Sequence, residues 1–392
     1  MLYLYKKVNK YIIKIMEVNL MEKENTDEKY MKEALKLALL GRGFVNPNPL
    51  VGAVIVKNGK IIGKGYHSFF GGPHAEIYAL REAGDNSKGA DLYVTLEPCS
   101  HYGKTPPCAK AIVEAGIKRV VIGSVDPNPL VSGRGVKILK DKNIEVVTGV
   151  MEREAVKINE IFMNYIKSKV PFVILKSGVT LDGKIATVSG ESKWITGEES
   201  RLKVHKMRNR VMAIMVGVGT VILDDPLLTT RLEEKCKSPK AVIVDSKLRV
   251  PVESQIFKTS REREIIIACT EKFDKDKAES LKSMGVNIVA CPENREGRVD
   301  LKYLTKKLGE MGIDSVLVEG GAELNFSAIK SGIVNKVIYF IAPKILGGKN
   351  AKTSVEGYGI ENLSDSIKLK DICAENVGED IMIQAYVINA EN

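Results

Sequence analysis

Glu97-Pro98-Cys99-Ser100-His101-Tyr102-Gly103-Lys104-Thr105-Pro106-Pro107-Cys108 decides how the first half of this chain is read. The apolar run Asp91–Leu96 leads into it as a short strand. Cys108–Ala115 leads out as a helix, with Gly116 as a usual stop. Upstream, His74-Ala75-Glu76 opens a helical segment, His74–Ala83, on which Ile77, Leu80 and Ala83 are expected to share one side. His74, Cys99 and Cys108 are therefore zinc-type ligands standing at the ends of elements, and Glu76 is a carboxylate beside them. Three protein ligands leave the fourth tetrahedral position to water, which distinguishes a catalytic zinc site from a closed structural one. Water on such a zinc has its pKa lowered to about 7, and a nearby Glu can shuttle its protons. Helix N-termini carry partial positive charge, which favours the thiolates that zinc needs.

Working outward, strands and helices alternate. Val51–Val56 and Lys60–Tyr66 form a hairpin across Lys57-Asn58-Gly59. Lys118–Gly123 and Ile144–Val147 are strands, with a helix at Gly135–Asp141 between them. One helix is expected over Met151–Ile166, ended by Lys167-Ser168-Lys169. Beyond Pro171 a second series of strands follows: Pro171–Val179, Val211–Val216, Ala241–Asp245, Glu264–Cys269, Asn287–Ala290, Ser315–Glu319, Lys336–Ile341 and Asp380–Ile388. The expected organisation is an extension over 1–26, disordered; a zinc-dependent domain over 27–150; a connecting helix and linker over 151–170; and a second α/β domain over 171–392.

Composition narrows the class. A chain of 392 residues with 44% hydrophobic and 28% charged residues suits two globular cores. The net charge of +10 is spread along the chain, which favours anionic ligands such as phosphates without selecting nucleic acid. Six cysteines are too few for a disulfide scaffold in a chain of this length. Cys236, Cys269, Cys291 and Cys373 read as isolated reduced thiols, mostly buried. No apolar stretch reaches the roughly 18 residues of a membrane span. Lys10 and Lys14 interrupt the apolar N-terminus, so no secretory signal is expected, and Met16 and Met21 are alternative starts.

The general pattern H-x-E…P-C-x-x-C marks zinc nucleobase deaminases. Here the cysteines stand nine positions apart. With that spacer, Thr95–Cys108 resembles the segment peculiar to the bifunctional riboflavin biosynthesis deaminase/reductase family. The resemblance runs from about Met31 to the C-terminus. It implies a cytidine-deaminase-like three-layer α/β domain followed by a dihydrofolate-reductase-like α/β domain, with zinc and NADPH as cofactors. It assigns zinc to His74, Cys99 and Cys108 and catalysis to Glu76. It leaves His101 a loop residue. Asn48, His67, Lys104, Thr105, Asp126 and Asn128 would hold the pyrimidine and ribose phosphate. Lys104 also reads as a solvated lysine, and Asp126 and Asn128 as ordinary turn residues.

The second half is less explicit from its residues alone. Gly217-Val218-Gly219-Thr220 and Gly320-Gly321 each follow an apolar strand as glycine turns where backbone N–H groups can approach a phosphate. The segments Ser189–Thr196, Thr220–Pro226 and Val318–Gly321 resemble the reductase half of the same family. By that resemblance Gly178, Trp194, Thr220, Asp224, Ser246, Gly320 and Gly321 line NADPH. Lys176, Ser192, Arg208, Leu228, Arg231 and Glu319 face the substrate. Arg208 and Arg231 suit a phosphate because guanidinium binds it bidentately. Trp194 reads equally as a core anchor.

The implied chemistry is hydrolytic loss of a pyrimidine 2-amino group, then hydride transfer from NADPH to C1′ of the ribose, giving a ribityl chain. Asp224 and Glu319 are candidates for the reductase proton donor. The expected partner is a small phosphoribosyl pyrimidine, with no nucleic acid and no membrane, for a cytoplasmic homo-oligomer. The alternative is a zinc deaminase of nucleic acid (tRNA) fused to an inactive reductase-like domain.

Overall fold

The computed structural model describes residues 26–100, 106–128 and 132–388. The extension expected over 1–26 therefore lies almost entirely outside the described residues, as do Lys104 and Thr105. The chain divides into two compact units between Lys167 and Ser168.

The first unit opens with α1 (residues 26–38), β1 (Gly52–Lys57), β2 (Lys60–Tyr66), α2 (Ala75–Ala83) and β3 (Asp91–Leu96). It continues with α3 (Cys108–Glu114), β4 (Arg119–Ser124), α4 (Arg134–Lys140), β5 (Glu145–Thr148), α5 (Glu152–Ile158) and α6 (Glu160–Ser168). Its sheet runs β2-β1-β3-β4-β5. β1 is antiparallel to β2 and β3, whereas β3, β4 and β5 are parallel. Alternation along the strands feeds two cores. Ala53, Ile55, Leu92, Val94, Val120 and Ile122 pack with α2, α3 and α4. Val54, Val56, Tyr93 and Val121 pack with Tyr30 and Met31 of α1 and Ala155 of α5. The result is the three-layer sandwich expected.

Two local expectations are corrected. The buried side of α2 is Ala75, Glu76, Ala79 and Ala83, while Ile77 and Leu80 are only half-buried. The reason is close approach to β2. A Cβ at Gly65 would lie 2.1 Å from the Ala75 carbonyl, and one at Gly63 would lie 2.3 Å from that of Ala79. The helix predicted over 151–166 is broken at Asn159. Its backbone N–H bonds the Val156 carbonyl, three residues back, while its side-chain amide holds the Leu50 backbone, accepting from N–H at 2.8 Å and donating to C=O at 2.9 Å. α5 and most of α6 lie within the first unit, Phe162 and Met163 packing onto the core under α2, α3 and α4.

The second unit contains β6 (Phe172–Thr180), α7 (Glu198–Arg210), β7 (Ala213–Gly217), α8 (Val218–Asp224), β8 (Lys240–Val244) and β9 (Ile265–Cys269). After these come α9 (Lys275–Ser283), β10 (Val286–Ala290), α10 (Leu301–Glu310), β11 (Ser315–Val318), α11 (Ala322–Lys330), β12 (Lys336–Ala342), β13 (Leu369–Val377) and β14 (Asp380–Val387). The sheet order is β10-β9-β8-β7-β11-β6-β12-β14-β13. It is parallel as far as β12, and β14 and β13 then join antiparallel. Parallel strands covered on both faces read as unbroken apolar runs. Ile265-Ile266-Ile267-Ala268-Cys269 is one, every residue buried. The sequence reading missed β13. It is an edge strand whose residues are all exposed except Val377, so no buried face stamps a period on it.

Of the cysteines expected to be isolated thiols, Cys269 and Cys291 are buried and Cys236 half-buried, but Cys373 is exposed on β13. Trp194 is 63% exposed, which removes its reading as a core anchor. Among the described residues no helix is long and apolar enough to cross a membrane.

Candidate active sites

In the first unit the fold delivers the three soft ligands from three places. His74 is the residue at which α2 begins, Cys99 follows β3, and Cys108 opens α3. Their ligand atoms all lie within 4.8 Å of one another. His74 Nδ1 is 3.5 Å from Cys99 Sγ and 3.3 Å from Cys108 Sγ. Tetrahedral zinc with the usual Zn–N and Zn–S lengths separates N and S ligands by roughly 3.5 Å, so the donor set fits that ion. The Cys108 backbone N–H donates to Cys99 Sγ at 3.2 Å. The Cys99 thiol is pulled down to about 4 by its bond with Cys108 and by His74, and Cys108 is raised by that same bond; a zinc ion would take both as thiolates. The Cys99 contact also lifts His74 to about 9.

Glu76 lies in the first turn of α2, 3% exposed, and its Oε2 has no hydrogen-bond partner among the described residues. Burial pushes its carboxyl up to about 7, against the pull of His74. An unsatisfied buried carboxylate oxygen is costly unless something else occupies it, and beside three metal-type ligands it marks a reaction centre.

These groups open into a cavity of about 370 Å³. Asn48, His67, Asp126 and Asn128, all predicted as substrate residues, line it together with His74, Glu76 and Cys99. His67 Nδ1 donates to the Pro73 carbonyl at 3.0 Å, which leaves Nε2 to accept from Asn48 Nδ2 at 3.2 Å. Burial holds the His67 imidazole below its ordinary pKa and so neutral.

Among the wall residues that sequence reasoning missed, three have side chains of consequence. Phe162 reaches the cavity from α6, and Phe70 from the loop after β2. Glu97 also lines it and is 4% exposed. Its place within the quoted motif was the only signal, and nothing in the spacing told what it holds.

In the second unit, Lys176 of β6, Arg208 of α7 and Glu319 after β11 converge. Glu319 Oε2 is 3.3 Å from Lys176 Nζ. Arg208 grips both Glu319 oxygens, at 2.7 and 2.9 Å, and donates to the Thr229 carbonyl at 2.9 Å. Burial alone would raise the Glu319 carboxyl, but Lys176 and Arg208 outweigh it and bring it down to about 2. Glu319 is therefore a held carboxylate, which argues against its role as proton donor. Arg231 joins through Thr229, whose hydroxyl accepts from Nη1 at 3.3 Å. Leu228 is buried next to this threonine with φ 53°. His205 was not anticipated. Its Nδ1 accepts the Arg231 backbone N–H at 3.2 Å, and burial with Arg208 and Arg231 lowers it to about 4.

The predicted cofactor residues are only partly gathered. A Cβ on Gly320 would lie 3.0 Å from Thr220 Oγ1, and Gly321 has φ 72°, so the two glycine turns meet there. A Cβ on Gly178 would touch Thr196 at 3.2 Å. Trp194 instead stacks under the Arg201 guanidinium, 4.8 Å from its ring centre. The Ser246 hydroxyl accepts from the Val299 N–H at 3.1 Å. Asp224 is exposed at the end of α8, and Ser192 is half-buried in the loop before α7.

A zinc-type constellation in a three-layer sandwich, joined to a largely parallel sheet on which Lys176, Arg208 and Glu319 converge, fits a metal-dependent deaminase fused to a reductase. Residues 24–124 match the cytidine and deoxycytidylate deaminase zinc-binding region, and residues 171–383 match the RibD C-terminal domain. The riboflavin biosynthesis protein RibD of Actinobacillus pleuropneumoniae is 50% identical over 94% of this chain and 97% of its own length. That of Aquifex aeolicus is 46% identical over 91% of this chain and 97% of its own. A Thermotoga maritima structure described as a diaminohydroxyphosphoribosylaminopyrimidine deaminase/5-amino-6-(5-phosphoribosylamino)uracil reductase covers 93% of this chain and 100% of its own. It is 39% identical, with a TM-score of 0.81. The chain belongs to the RibD family of riboflavin biosynthesis proteins, bifunctional enzymes with a zinc-dependent deaminase and an NADPH-dependent reductase. Both halves match in order and nearly full length, which does not favour a nucleic-acid deaminase carrying a vestigial reductase.

Proposed function

We propose that His74, Cys99 and Cys108 hold the zinc and that Glu76 moves the protons of a hydrolytic deamination. The observation that carries this is the buried, unpartnered Glu76 Oε2 beside three ligand atoms within 4.8 Å of one another. Zinc, when bound there, supplies the Lewis acidity that makes water a nucleophile near neutral pH. Glu76 takes a proton from the attacking water and delivers it to the departing 2-amine, so that a C–O bond forms at C2 as the C–N bond breaks, and ammonia leaves a uracil-type ring behind. Asn48, His67, Asp126 and Asn128 orient the ring and ribose, and Lys104 and Thr105 complete the phosphate contacts. The substrate is the phosphoribosylated diaminopyrimidine in the name of the Thermotoga relative.

In the second unit Lys176, Ser192, Arg208, Leu228, Arg231 and Glu319 face the resulting uracil. Gly178, Trp194, Thr220, Asp224, Ser246, Gly320 and Gly321 line NADPH, whose hydride goes to C1′ of the opened ribose. The shared position of Lys176, Arg208 and Glu319 supports the substrate assignment. The meeting of Thr220 with Gly320 supports the cofactor assignment. The domain limits 27–150 and 171–392, with 151–170 between them, belong to the same reading.

The proposal includes a homo-oligomer in the cytoplasm. β13 and β14 present Leu369, Ile372 and Ile381 exposed at the edge of the sheet, which self-association would cover. All six cysteines are unpaired, as suits a reducing compartment. A monomer in sedimentation at enzyme-assay concentrations would remove the first of these statements.

The experiment is to supply the diaminopyrimidine with and without NADPH while following ammonia and NADPH absorbance. Ammonia in both cases, and NADPH consumption when it is present, is the expected result. No ammonia from a zinc-loaded chain sinks the assignment.

A further inference from the structure

Glu97 stands two residues before the ligand Cys99, and its carboxylate spends both oxygens on backbone. Oε2 accepts from the N–H groups of Asp126 at 3.2 Å and Gly133 at 3.0 Å. Oε1 accepts from those of Gly135 at 3.0 Å and Val136 at 3.2 Å. Four N–H groups on one carboxylate that is 4% exposed form a strong clamp, because charge-assisted bonds gain most where water is excluded. The clamp continues outward. Asp126 Oδ1 accepts the Asn128 N–H at 2.8 Å, so the turn that presents both cavity residues hangs from Glu97. The opposite side is just as tight. A Cβ on Gly135 would fall 2.1 Å from the Pro98 carbonyl and 3.2 Å from the Glu97 side chain. The Glu97 N–H also donates to the Ser124 carbonyl at 3.0 Å, tying the same residue to the end of β4.

We infer that Glu97 is the positioning residue that sets the distance between the metal centre and the substrate-reading turn Asp126–Asn128 of the deaminase site. Glu97 touches neither metal nor reacting atoms in this role. It makes the strand that ends at the metal ligands and the turn that reads the substrate one rigid piece. The inference rests on the deaminase reading above.

The clamp dictates which substitutions matter. Gln is nearly isosteric, but whichever way its amide turns, its NH2 faces two N–H donors. Two bonds are lost and replaced by a donor–donor conflict. Asp keeps the charge with a shorter reach and should restore part of the effect. Gly135→Ala presses on the same contact from the helix side and should mimic the loss.

The test measures deaminase kinetics, bound zinc and amide exchange in the full-length Glu97→Gln, Glu97→Asp and Gly135→Ala enzymes, with NADPH-dependent reduction of the uracil intermediate as a control for folding. The expected result for Glu97→Gln is a KM for the diaminopyrimidine raised roughly ten- to hundredfold, the range given by one or two charge-assisted bonds. The rate at saturation, zinc per chain and the reductase should hold. Amide exchange at Asp126, Gly133, Gly135 and Val136 should accelerate, and Glu97→Asp should lie between. An unchanged KM overturns the inference, as does loss of zinc in step with activity, which would make Glu97 a support for Cys99 alone. If Glu97→Gln does not fold, Glu97→Asp and Gly135→Ala decide by the same criteria. A wild-type enzyme that releases no ammonia would sink the deaminase reading instead, and the amide-exchange result would still report on the clamp.

Discussion

At Glu319 the balance of burial and charge can be followed atom by atom. A carboxylate with 5% of its side chain exposed stays ionised because Lys176 and Arg208 face it within 3.3 Å. Its folded pKa lies near 2 against an ordinary 4.5. A depressed carboxyl pKa contributes stability fully above the unfolded value and loses it as pH falls through the folded one. Across this shift the contribution is roughly 3 kcal/mol. Urea unfolding of the second unit should therefore weaken progressively from about pH 5 down to pH 2, and Glu319→Gln should flatten that part of the profile. The same variant leaves two half-buried cations short of their partner and should cost about 3 kcal/mol at neutral pH. It should abolish NADPH consumption while ammonia release persists; reduction at the wild-type rate would remove Glu319 from the reductase site. In the first unit, Glu76→Gln should stop ammonia release with zinc retained, as measured by metal analysis. Unchanged deamination would exclude Glu76 as the proton carrier.

Among the elements, α2 carries most of the deaminase chemistry proposed above, since His74 begins it and Glu76 lies in its first turn. It lies so close on β2 that only glycine fits at Gly63 and Gly65. Gly65→Ala would force the Ala75 carbonyl away and should destabilise the first unit by about 1–3 kcal/mol, read as a lower thermal midpoint with weaker zinc retention. A midpoint equal to wild type would show that α2 can shift freely. α10 offers the opposite case, an element that supplies no proposed site residue. Asp300 caps it by accepting the N–H groups of Lys302 at 2.8 Å and Tyr303 at 3.1 Å. Asp300→Ala should cost about 1 kcal/mol, visible in urea unfolding, and leave both activities at wild-type rates.

Across the whole molecule the two proposed sites belong to separate compact units. Removing zinc with a chelator should thus stop ammonia release but leave reduction of supplied uracil intermediate at its wild-type rate. Parallel loss of both activities would mean that the reductase unit depends on the metal. Much of this plan was legible in the chain. The hairpin over Gly52–Tyr66, the alternating series and the two glycine turns follow from local apolar patterns and turn residues. The break at Asn159 was not legible, because the partner its side chain holds there is Leu50, more than a hundred positions earlier. Nor was β13, an edge strand without a buried face.

What the sequence determined by itself was chemical identity: soft ligands at His74, Cys99 and Cys108, a spare carboxylate at Glu76, and the long spacer between the cysteines. Those residue types state their chemistry wherever the chain puts them. Only the tertiary structure decided what Glu97, His205 and the Lys176–Arg208–Glu319 cluster touch. Their partners are backbone N–H groups or charges from distant strands and helices. A backbone amide has no identity in sequence, and an ion pair has none until folding brings its members out of water and into contact.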